Sequence, residues 1–96
     1  MSTGAQSEIQ LENEFFRVTK WTIAPGSVIP MHLHEHEYVV TPLVDGVMHV
    51  VTSDGEEIVA ELVMGESYSR PSGSEHRIEN RRSSAAIVFV EAERLS

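Results

Sequence analysis

Apolar and polar positions alternate over short stretches of this chain, and nowhere do they recur with a helical period. Val, Ile, Thr and aromatic residues dominate the runs Phe15–Ile23, Val39–Val44, Val47–Thr52, Ile58–Val63 and Ala86–Val90, the residue types that fit a pleated, half-buried strand. Between them fall Pro25-Gly26, Asp45-Gly46, Asp54-Gly55, Met64-Gly65 and Pro71-Ser72-Gly73, which are turn formers at the spacing of a sandwich or barrel. Asp45-Gly46 and Asp54-Gly55 are read as hairpin turns, because Asp-Gly tolerates the positive φ of a two-residue loop. The best helical segment, Glu91–Leu95, is too short to persist. Met1–Glu8 is small and polar, expected either to fray or to form a lead-in strand. The pattern predicts an all-β chain.

At 96 residues the chain is expected to be one domain, 1–96, since two independent cores do not fit in that length. A core this small buries only about 60–70% of the unfolded surface and calls for reinforcement by a metal or a second subunit, a homodimer being the commonest arrangement. Seven Lys and Arg stand against fifteen Asp and Glu, a net charge of −8, which disfavours a nucleic-acid partner. Cysteine is absent, so disulfides, thiolate metal sites and cysteine nucleophiles are excluded. No stretch of eighteen apolar residues suggests a membrane span, and the start lacks the basic and apolar regions of a secretory signal. A soluble cytoplasmic protein is the expectation.

Histidine brings in the chemistry. Of five, His32, His34 and His36 fall within five residues. On a strand, residues i and i+2 share a face about 6.6 Å apart, so His32 and His34 can both lean toward a metal at about 2.0–2.1 Å; a third ligand must come from elsewhere. Clustered histidines on an acidic chain can also simply sit in water.

The surrounding residues favour the metal. Gly26, His32, His34 and Gly46 resemble the first cupin motif, G-x5-H-x-H-x3-4-E-x6-G, and Gly65, Pro71, Gly73, His76 and Asn80 meet the second, G-x5-P-x-G-x2-H-x3-N, in full. The resemblance spans residues 26–80 and implies a double-stranded β-helix, the cupin jelly-roll barrel, holding one divalent metal on His32, His34 and His76. It also implies that Gly65, Pro71, Gly73 and Asn80 are structural, building the turn that aims His76 inward. The motif's glutamate is missing: its place falls on Tyr38 or Val39. Three arrangements follow: a three-histidine centre with open positions, Glu37 rotated in by a bulge, or Tyr38 or His36 in the gap. Imidazole ligands do not choose between Fe, Ni, Zn, Mn and Cu.

Tyr68 and Arg70 stand where cupins usually place aliphatic, inward-facing residues. An interior guanidinium is costly unless paired, so Arg70 is a candidate to fork onto a substrate carboxylate with Tyr68 as hydrogen-bond donor or acid; pairing with a glutamate at the rim or across a dimer interface is the alternative. His49 is expected to be a packed or rim histidine, Trp21, Phe16, Phe89 and the methionines to fill core, and Glu56-Glu57 and Arg81-Arg82 to be solvated. The functional expectation is a metal-dependent enzyme acting on a small polar or carboxylate metabolite by oxygenation, isomerisation or lyase chemistry. The alternative is a ligand-binding or sensor module with a mainly structural metal. No helix-turn-helix pattern accompanies the barrel to suggest a stand-alone transcription factor.

Overall fold

A computed structural model describes residues 4–81 and 84–96; the first three residues of the lead-in segment, and Arg82 of the Arg81-Arg82 pair, lie outside them. Nine strands form in chain order: β1 (Ala5–Glu12), β2 (Phe16–Ile23), β3 (Val28–Leu33), β4 (Tyr38–Pro42), β5 (Gly46–Thr52), β6 (Glu57–Leu62), β7 (Tyr68–Arg70), β8 (Glu75–Glu79) and β9 (Ile87–Arg94). They make two antiparallel sheets, β1-β2-β9-β4-β7 and β3-β8-β5-β6. The all-β expectation holds, and the lead-in segment passes into β1, paired with β2. No helix among the described residues is long and apolar enough to cross a membrane.

Most connections cross from one sheet to the other, which is what rolls a meander into a double-stranded barrel. Asp45-Gly46 therefore turns no hairpin: it carries the chain from β4 in one sheet to β5 in the other, and the Asp45 carboxylate accepts the Met64 backbone N–H at 2.8 Å. Asp54-Gly55 does close the β5–β6 hairpin, but with positive φ at Gly55 alone and a wider loop in which the Thr52 N–H donates to the Glu56 carbonyl at 2.9 Å. The segment Glu91–Leu95 is not helical either. Glu91 pairs with Thr19 on one side and Val40 on the other, so two ladders of long-range hydrogen bonds override local propensity.

The core lies between the sheets and is built by alternation: Tyr38 and Val40 from β4, Ile87 and Phe89 from β9, and Met48, Leu62 and Ile78 from the facing sheet are buried. Phe89 is 2% exposed, but Phe16 is 49% and Met64 64% exposed, and Met31 is exposed as well. Those three do not fill the core. Phe16 opens β2 at the end of its sheet, Met64 sits between strands, and Met31 is turned outward by an irregularity in β3.

That irregularity positions the site. The β3–β8 ladder pairs Ile29 with Ile78 and His32 with His76, with a register shift between Ile29 and His32. Pro30 has no N–H to give the ladder. In a regular strand Ile29, Met31 and Leu33 would share the inner face; the shift reverses the phase, leaving Met31 and Leu33 outside and His32 inside.

Candidate metal centre

His32 and His76 are cross-strand partners. His34 lies one residue beyond β3, so continued strand geometry does not aim it. Instead its N–H donates to the Ser74 carbonyl and its carbonyl accepts the Gly73 N–H, both at 2.8 Å, which straps it to the turn before β8. Asn80 holds the other end of that unit, its side-chain amide donating to the carbonyls of Ile23 (3.0 Å) and Ala85 (2.9 Å). Gly73 has φ +91°, a conformation that costs a residue with a Cβ about 1–2 kcal/mol. Gly73→Ala is expected to lower unfolding free energy by that amount and to weaken metal binding, because His34 is anchored through the same turn; denaturant titration and metal titration of the variant check both.

The three rings converge. His32 Nε2 lies 2.9 Å from His34 Nε2, which lies 3.1 Å from His76 Nε2. His32 Nδ1 sits 2.7 Å from the Pro30 carbonyl; a carbonyl only accepts, so Nδ1 carries the hydrogen and Nε2 presents a lone pair. Burial, with the His32 charge as the next cause, holds His34 down to about 4 and His76 likewise, leaving both neutral and basic toward a cation at neutral pH. Nitrogens at these separations, each about 2.0–2.1 Å from one cation, subtend roughly 90–100°. The donors therefore fit a divalent metal of the kind imidazole prefers.

The motif's absent glutamate is not replaced by a carboxylate in this cluster: among the described residues, the atoms that converge are the three imidazoles. Glu37 is exposed, with its carboxylate 3.4 Å from the Arg94 guanidinium and its carbonyl accepting the Arg94 N–H at 2.9 Å. The structure thus places Glu37 with Arg94 and away from the histidines; the phase reversal falls before His32, where it turns a histidine inward. His36 lines a separate groove with Glu37 and Ser72. Tyr38 instead stacks on His34, centroids 4.0 Å apart at 21°. Burial raises its hydroxyl pKa, with Ser74 opposing, and among the described residues neither hydroxyl makes a hydrogen bond of normal geometry.

Tyr68 and Arg70 project from β7, with the Arg70 guanidinium 4.8 Å from the Tyr68 ring centre. Both line a cavity of about 60 Å³ together with Tyr38 and Glu91. Arg70 is exposed to solvent, not interior as expected from its place in the motif, because it ends the three-residue edge strand β7; its guanidinium donates to the Ser69 carbonyl at 3.2 Å. Among the described residues no carboxylate forms an ion pair with it. His49, between the inward Met48 and Val50, stays off the cavity.

Glu91 escaped the sequence pattern. It is 8% exposed and lines both this cavity and the groove that reaches His32 and His34. The available signal was the alternation Ile87, Phe89, Glu91, continued one step past the last apolar residue. Burial pushes its carboxyl up to about 7, with Glu93 adding to the rise. The Trp21 indole offsets this in part without closing a hydrogen bond of normal geometry. Between about pH 4.5 and 7 the folded state therefore holds a proton that the unfolded state has lost, so this group's contribution to stability falls as pH rises through that window. Glu91→Gln is expected to leave the metal-free protein unchanged near pH 4.5 and to stabilise it by about 2–3 kcal/mol above pH 7. Paired thermal or urea unfolding curves across that range test the sign.

Comparison with known proteins agrees with this fold. A family model described as a cupin domain matches residues 19–91. The beta-alanine degradation protein BauB of Pseudomonas aeruginosa is 42% identical over 85 residues, covering 88% of this chain and 87% of that protein. A cupin domain protein from Bordetella pertussis superposes with a TM-score of 0.92 at 35% identity, covering 100% of this chain and 98% of the other. A protein with a double-stranded β-helix domain from Klebsiella pneumoniae gives a TM-score of 0.76 at 25% identity, covering 98% and 80%.

Proposed function

The chain belongs to the cupin domain family, and from that premise we propose that it is a metal-dependent enzyme acting on a small amino or carboxylic acid in the breakdown of β-alanine or a compound of its class. One observation carries the proposal: three imidazole nitrogens meet at 2.9 and 3.1 Å, next to a cavity that presents Arg70, Tyr68, Tyr38 and Glu91. The name of the relative from Pseudomonas aeruginosa supplies the substrate class.

His32, His34 and His76 hold the metal. When bound on three neutral ligands it supplies a Lewis-acidic centre with positions left over for substrate or oxygen. Arg70, without an acidic partner among the described residues, is placed to take a substrate carboxylate. Tyr68, whose hydroxyl burial keeps protonated well beyond neutral pH, donates a hydrogen bond or acts as the acid. A site whose metal served only to stabilise the fold has no need of this second, polar wall.

The test is turnover. Protein loaded in turn with one equivalent of Fe(II), Ni, Zn, Mn or Cu is incubated with β-alanine and with the three-carbon oxo acids and hydroxy acids related to it, and the mixtures are followed by proton NMR. Metal-dependent loss of one substrate, abolished by His76→Ala, is expected. Saturable binding with no turnover under any metal identifies a binding or sensor module instead.

A further inference from the structure

Glu91 and Arg70 face the same cavity from strands separated by β4. Val40 of β4 pairs with Glu91 on one side and Tyr68 on the other, while Tyr38 pairs with Arg70. Neighbouring strands lie about 4.8 Å apart and alternate residues about 6.6–6.8 Å apart, so the two charged residues are roughly 12 Å apart at their Cα atoms. Glu91 is buried and Arg70 is exposed, and among the described residues neither forms an ion pair with the other. The rest of the lining is largely apolar, with Val40, Met48, Ile78 and Phe89, so a carboxylate buried here is poorly solvated until a cation reaches it.

We infer that Glu91 and Arg70 are the two poles of a subsite for a short zwitterion, an ω-amino acid whose carboxylate lies on Arg70 and whose ammonium lies on Glu91. The inference rests on the functional reading above and narrows its substrate from small acids in general to those bearing both charges. Size agrees: at about 10–15 Å³ per water-sized group, a cavity of about 60 Å³ admits a ligand of about four to six non-hydrogen atoms. Tyr38 and Tyr68 line the same space. A fixed span also limits chain length, since a carboxylate and an ammonium set further apart cannot both reach their partners without bending.

Zinc-loaded protein, in which redox turnover is absent, is titrated calorimetrically at pH 8 with β-alanine, propionate, propylamine and 5-aminopentanoate. β-Alanine is expected to bind about 10- to 100-fold more tightly than propionate or propylamine, the range for one added charge-assisted hydrogen bond, and more tightly than the longer amino acid. Glu91→Gln is expected to remove the advantage over propionate while leaving propionate binding unchanged, and Arg70→Met to weaken both acids. Wild-type protein binding propionate as well as β-alanine overturns the inference, as does a Glu91→Gln protein that keeps the wild-type ratio, or the absence of binding by any of the four. The wild-type series stands even if a variant fails to fold. Metal content and propionate affinity, measured on the same samples, report on the broader reading separately: bound zinc with propionate and β-alanine equal sinks the zwitterion subsite alone.

Discussion

His34→Ala protein is expected to bind divalent metal about 100- to 200-fold more weakly than wild type. Four-ligand zinc sites hold their ion with apparent energies of about 10–16 kcal/mol, so one ligand accounts for about 3 kcal/mol, a factor of about 150. His34 is the member to remove because it makes both close Nε2 contacts and is the most buried of the three. The same change strips a stacking partner from Tyr38 and leaves a hole beside it, so some loss of stability accompanies it. His36→Ala is the matched control: that ring lies in another groove, and its removal should leave affinity within experimental error. Competition against a chromophoric chelator measures both variants on one scale.

Saturating metal is expected to raise the melting temperature by roughly 10–30 °C. A ligand bound only by the folded state at 100 to 1,000 times its dissociation constant contributes about 2.7–4.1 kcal/mol, and each kcal/mol shifts the midpoint of a domain this size by about 4–8 °C. The shift should vanish with chelator and in the His34→Ala protein. It should also survive mild acid better than an ordinary imidazole site, because His34 and His76 are held down to about 4. Protons then compete weakly for these two ligands until pH falls toward that value. Differential scanning fluorimetry between pH 5 and 8, with and without metal, checks the size and the persistence together.

The parts of this molecule that were legible in its sequence are those encoded by local chemistry. Alternation marked the cores of β2, β4, β5, β6 and β9, and Gly55, Gly65 and Gly73 marked turns whose φ is indeed positive. The histidine spacing paired His32 with His34, and the resemblance to the second cupin motif added His76 before the chain brought the three together in space. Long-range pairing was hidden. β7 is three residues long, too short to show alternation, and β9 runs on through Glu91 and Glu93 because β2 and β4 hydrogen-bond both of its edges. Asp45-Gly46 had hairpin chemistry and no hairpin, since sheet membership is decided by partners far along the chain. The phase reversal at Pro30 also depends on the β8 ladder. It explains a detail the sequence presents backwards: regular alternation would have put Met31 and Leu33 inside and His32 in water.

Glu91 shows the same limit at the site itself. A carboxylate after an apolar run reads as the end of a strand, and only the opposing sheet makes it an interior group. Glu37 is the converse case, close to the motif position in sequence yet drawn off by Arg94, whose backbone and guanidinium both engage it.

X-ray absorption at the zinc edge of protein loaded with one equivalent of zinc counts the imidazoles directly. Three histidine nitrogens at about 2.0–2.1 Å, with the multiple-scattering signature of imidazole rings and the remaining shell made of oxygen, are predicted. One imidazole or none, or a shell unaltered by His76→Ala, contradicts the convergence of these three side chains on a single cation.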